Sequence, residues 1–140
     1  MNENIVNILK MEIGERIRFA KSVAKDFKEK LITKYDFNAE SAKAFIFDIC
    51  KLFSMGDRAL GIQEKELFNE INDTNLSDQA FIERMKDGAN QEFIDYMDEN
   101  FSLLLYEDRI SAALIGLAFI CIDGKVNEKE EKLLAKMLKD

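Results

Sequence analysis

IFDICKLFSMGDRALGIQEKELFNEI, residues 46–71, aligns without a gap with AALIGLAFICIDGKVNEKEEKLLAKM, residues 112–137, at an offset of 66 residues. Ile49 meets Ile115, Phe53 meets Phe119 and Asp57 meets Asp123. Beyond the loop, Leu60 meets Val126, Glu64 meets Glu130 and Leu67 meets Leu133. Each copy reads as an apolar helix, a short loop opening on Asp, one apolar loop residue, and a second helix with Glu at its third position. The expectation is an all-α fold of about seven helices in one compact domain, residues 1–140. The two copies should be related by an approximate two-fold arrangement. Their apolar faces (Ile49, Phe53, Leu67 and Ile71 against Ile115, Phe119, Leu133 and Met137) should meet in the core.

The rest of the chain agrees with a helical reading. It contains no proline and six glycines, so helix breakers are scarce. Ile13, Ile17, Ala20, Ala24, Phe27 and Leu31 recur at alternating spacings of four and three, which predicts a first helix over residues 4–33, loosened near its start by Gly14. Asn38 caps a second helix over 39–55, with Gly56 as its stop; a third spans 62–72. Ser77 caps a fourth, ending near Gly88, and Asn90 opens a fifth through Phe93, Ile94 and Met97 to about residue 100. The sixth covers 107–122 and is stopped by Gly124. Asn127, with Glu130 three residues on, forms a capping box for the seventh.

Composition narrows the function classes. The chain has no histidine, so a histidine-containing triad or a His-ligated metal site is excluded within it. Cys50 and Cys121 lie in apolar helical stretches without CxxC spacing and read as small buried hydrophobes in a reducing compartment, which predicts a cytoplasmic location. The opening residues do not read as a signal peptide. The most apolar run, residues 112–122, is far shorter than the ~20 residues that cross a bilayer and reads as a core helix. None of the sequence signatures GxxxxGK[ST], GxGxxG, GxSxG and HExxH is present, and the chain is read as a non-enzyme.

Net charge is −7 and unevenly spread. Residues 61–108 hold three basic and thirteen acidic side chains, whereas residues 1–60 hold eleven basic and nine acidic. This acidic middle argues against nucleic acid and for a protein partner, with Glu66, Glu70, Asp73, Asp78, Asp87, Asp95 and Asp98 exposed. Arg18, Lys21, Lys25 and Lys28 form a basic stripe beside the first helix's apolar seam. Its plain reading is a solvated flank whose stems cover the seam's edge; the other is a docking surface for acidic groups, peripheral membrane contact included.

CIDGKVNEKEEKLL, residues 121–134, resembles the signature of the TerB-like family: an apolar helix running into Asp-Gly-x-Val and an acidic helix start. The resemblance covers mainly residues 45–72 and 108–138. It implies an all-helical protein of two related halves, associated with tellurite resistance and chemical stress, with metal binding by acidic loops suggested. The upstream loop departs from the pattern, with Arg58 where the glycine after Asp would stand.

Asp57 and Asp123 sit just past a helix end, where the macrodipole disfavours a carboxylate. Each can satisfy its own loop's N–H groups while Glu64 and Glu130 reach back to the cap. The alternative places Asp57 and Glu64, and Asp123 and Glu130, on a divalent cation, with carbonyls and waters completing the shell. The loops are not EF-hands: residues 123–134 carry Lys125 at the third position and Leu134 at the twelfth. The function expected is a TerB-like stress-response module that binds a cation or a protein partner; the alternative is a helical adaptor without a ligand site, docking through its acidic middle.

Overall fold

The computed structural model describes residues 10–54, 62–85, 90–120 and 128–139. Among the described residues there are seven α-helices and no strand: α1 Ile13–Lys34, α2 Ala39–Ser54, α3 Ile62–Asn72, α4 Asp78–Met85, α5 Gln91–Ser102, α6 Tyr106–Ile120 and α7 Glu128–Met137.

From Ala112 to Ile120 every residue of α6 is apolar or glycine and is buried. Such a helix needs neighbours all round. α1 and α2 pack against it most extensively, and α7 covers a further side. The buried seam of α1 is Ala20, Ala24, Phe27 and Leu31, with Ile17 half-buried against the core. Phe45 of α2 stacks within 6.1 Å of Phe27, Phe37 and Phe101, tying α1 and α5 to α2. Two residues on, Phe47 meets Phe68 of α3 edge-on at 4.8 Å, and Phe68 meets Phe81 of α4 at 5.5 Å. Each buried ring of this kind stabilises by roughly 1.5–3 kcal/mol, so the phenylalanines set which helices are neighbours.

Side-chain caps define the helix starts. Asn38 Oδ1 accepts from the Ser41 N–H (2.7 Å) while Ser41 Oγ accepts from the Asn38 N–H (3.0 Å), a reciprocal capping box. Ser77 Oγ accepts from the Ala80 N–H (3.2 Å), and Asn90 Oδ1 from the Glu92 N–H (2.8 Å). Two helix ends are made by aspartate: Asp36 (φ 61°) and Asp73 (φ 56°) adopt the left-handed conformation that glycine more often supplies. The Phe37 N–H then returns to the Leu31 carbonyl (3.1 Å), and the Thr74 N–H to the Asn69 carbonyl (3.0 Å).

The expected first helix is corrected at its start. Residues 4–9 lie outside the described ones; Lys10 is helical, but the chain breaks at Met11 and Glu12, where Glu12 is extended (φ −69°, ψ 158°), and α1 runs from Ile13. The Arg16 guanidinium donates to the Met11 carbonyl (2.9 Å), which ties this break to the first turn of α1. The expected ends at Gly56, Gly88 and Gly124, and the Asn127 cap, also lie outside the described residues.

Shifted by 66 residues, α2 falls on 105–120 and α3 on 128–138, close to the bounds of α6 and α7. Ile49, Phe53, Leu67, Ile115, Phe119, Leu133 and Met137 are buried, and Ile71 packs on their cluster. α2 meets α6 directly. α3 makes its main contacts with α1, α2 and α4, while α7 rests on α6. The boundaries keep the offset; a two-fold relation between the segments remains an expectation.

Candidate functional site

Of the four carboxylates proposed from the sequence, Asp57 and Asp123 lie outside the described residues, as does the side chain of Glu130, the third residue of α7. Glu64 occupies the first turn of α3 and is buried, 3 % exposed. A carboxylate there faces the positive end of the helix dipole. Among the described residues no group of three or more Asp, Glu, Cys or His converges as a metal-binding cluster.

Another carboxylate organises a site that the sequence reading passed over. Asp108, at 0 % exposure, lies in the first turn of α6 in register with Ala112, Ile115 and Phe119, the core-facing seam. Its Oδ2 accepts from the Tyr35 hydroxyl (2.6 Å) and from Lys34 Nζ (2.9 Å), and Lys30 Nζ stands 3.8 Å from Oδ1. The Tyr35 hydroxyl in turn accepts from the Leu105 N–H (2.9 Å), and Lys34 also donates to Glu107 (2.9 Å). The end of α1 is thereby fastened to the start of α6. Burial by itself would push the Asp108 carboxyl up. The hydrogen bonds from Tyr35 and Lys34, with the charges of Lys34 and Lys30, outweigh it and hold Asp108 below the ordinary carboxylate value. Hydrogen bonds to Glu107 and Asp108 push Lys34 up, and burial with the bond to Asp108 pushes Tyr35 up. The sequence did carry one signal for this clamp: an Asp in the core register of an apolar helix needs a cationic or hydroxyl partner.

Tyr35 also fixes the α5–α6 turn, and this turn carries the most exposed large apolar side chains of the described residues. Leu103 is 75 % and Leu105 56 % exposed, and Tyr96, two helical turns before Leu103 on the same side of α5, is 53 % exposed. Glu92 and Glu99 share that side. α5 holds four carboxylates and no basic residue. The corner thus pairs apolar projection with negative charge on a turn held at both ends.

The acidic middle is otherwise partly neutralised. Glu66, Glu70, Asp73, Asp78 and Asp95 are exposed and Asp98 is half-buried; Asp87 lies outside the described residues. Glu70 pairs with Lys21 (3.3 Å), Asp78 with Lys65 (2.5 Å) and Asp98 with Lys136 (2.9 Å). Of the basic stripe, Lys21 is therefore paired internally with the acidic block.

Cys50 is buried beside Asn72 with its thiol pushed up to about 12 by burial, against the opposing hydrogen bond from Asn72; Cys121 lies outside the described residues. Among the described residues no helix is long and apolar enough to cross a membrane.

Compared with protein-family models, with curated proteins and with solved structures, the chain matches none.

Proposed function

We propose that the chain is a TerB-like helical binding module that acts by docking a protein partner rather than by catalysis, and that it does so in the cytoplasm as part of a stress response, tellurite resistance included. The observation that carries the docking reading is the corner of Tyr96, Leu103 and Leu105. Leu103 and Leu105 are held in water on a turn whose Leu105 N–H Tyr35 binds, and Tyr96 is exposed on the same side of α5, among its carboxylates. An exposed apolar patch rimmed by charge is the usual form of a protein interface, and a turn ordered beforehand loses little entropy on binding. The complementary partner is a segment with apolar anchors flanked by Lys or Arg. The stress-response part rests on the resemblance of residues 121–134.

A second reading, a divalent cation held by the acidic loops, is favoured by Glu64, which brings a buried carboxylate to the α3 turn that follows the Asp57 loop.

The docking reading is tested by affinity capture from the native cell with the wild-type chain and with Leu103→Ser/Leu105→Ser. A partner held by the wild type, released by salt and lost from the double variant is the expected result. Equal capture by a folded double variant would refute it.

A further inference from the structure

We propose that the recess between α1, α2 and the end of α3 binds a phosphate-bearing ligand. This site lies on other helices than the α5 corner and does not depend on it. The recess encloses about 270 Å³. Lys21, Lys25 and Lys28 line it from successive turns of α1, and Lys43 faces them from α2. Its floor is apolar, from Ala24, Ile46 and Ile71, and Glu70 and Asp73 stand at the α3 end.

Charge within the recess is not balanced. Glu70 takes up Lys21 at 3.3 Å. Among the described residues, Lys25, Lys28 and Lys43 have no carboxylate within 4 Å, although the chain as a whole carries net charge −7. Three ammonium groups from two helices repel one another, and an anion between them removes that repulsion. One carboxylate would leave most of the charge uncompensated, and Asp73 is the single further acid there. A phosphate group brings up to two negative charges and several acceptor oxygens, which suits lysines acting as movable point charges. The floor of Ala24, Ile46 and Ile71 gives an organic substituent an apolar seat beside the phosphate. The same chemistry is offered by a soluble phosphate ester and by a phospholipid headgroup.

The full chain, labelled with ¹⁵N, is titrated with inorganic pyrophosphate, and in parallel sedimented with phosphatidylglycerol–phosphatidylcholine vesicles. Expected are amide shifts centred on Lys25, Lys28 and Lys43 that weaken with salt. Lys25→Gln/Lys28→Gln should weaken binding about tenfold or more. Glu70→Gln, which releases Lys21 into the recess, should tighten it. Vesicle binding that pyrophosphate competes away and that the double variant loses would assign the phosphate to a lipid; pyrophosphate binding without vesicle binding would assign it to a soluble ester. Shifts from neither probe at this recess, or binding unaltered in a double variant with wild-type melting, would overturn the proposal.

Discussion

The ring of Phe53 occupies the place where a side chain on Gly116 would begin: a Cβ built on Gly116 would stand 2.7 Å from Phe53 Cγ, and nearer still to Cδ2 and Cε2. α2 and α6 cross at this point, and the absence of a side chain lets the aromatic ring lie against the α6 backbone. Gly116→Ala is therefore expected to destabilise the protein by about 1–3 kcal/mol through overpacking. An unconstrained helix glycine would instead gain roughly 1 kcal/mol from the same change. Phe53→Leu should recover part of the loss in a double-mutant cycle followed by urea denaturation. A neutral or stabilising Gly116→Ala would place the helices farther apart than described.

Tyr35→Phe removes one hydroxyl that serves two buried or turn-forming groups, Asp108 Oδ2 and the Leu105 N–H. A loss of about 1–3 kcal/mol is expected, with faster hydrogen exchange at Leu105. Asp108→Ala should cost about 3 kcal/mol, toward the lower end for a broken buried pair because Lys30 and Lys34 reach solvent. Unchanged exchange at Leu105 in Tyr35→Phe would show that the turn is held by other contacts.

The same clamp sets a pH dependence. Asp108 has a folded-state value below its ordinary 3.8, so its contribution is complete above that value and is lost as pH falls through the depressed one. Lys34 and Tyr35 are raised above 10.5 and 10.0, so their contributions are complete below those values and fade as pH rises beyond them. Melting temperature should fall on the acid side less steeply in Asp108→Asn than in the wild type. Identical acid limbs would mean that Asp108 is not ionised in the clamp.

Glu64→Gln tests the cation reading at the first turn of α3. A buried carboxylate at a helix start should leave a loss of about 1–3 kcal/mol that is the same with and without millimolar Ca²⁺, Mg²⁺, Mn²⁺ or Zn²⁺. A wild-type melting point raised by one of these ions, and a rise abolished in Glu64→Gln or Asp123→Asn, would favour ligation instead.

Much of the helical scaffold could be read from local patterns, because apolar spacing and Ser or Asn caps act within a few residues. Asn38, Ser77 and Asn90 cap helices where those patterns put them. The ends of α1 and α3 fall within a residue of their expected places, although Asp36 and Asp73 rather than glycine take the left-handed conformation there. The break that escaped is at Glu12, which is extended without a proline or glycine at that position. The sites were harder to read because their partners are remote. Tyr35 and Asp108 are 73 residues apart, and Lys43 joins the α1 lysines only once α2 folds back. Leu103 and Leu105 fall between the expected fifth and sixth helices, and only the fold shows them projecting into solvent.

Site-specific photo-crosslinking in the native cell tests the docking corner most directly. A crosslinking residue at position 103, 105 or 96 should capture one partner through a segment rich in Lys or Arg, whereas the same residue in place of Ile82, which is also exposed but lies on α4, should not. Capture that is absent at all three corner positions, or equal at position 82, would contradict the account.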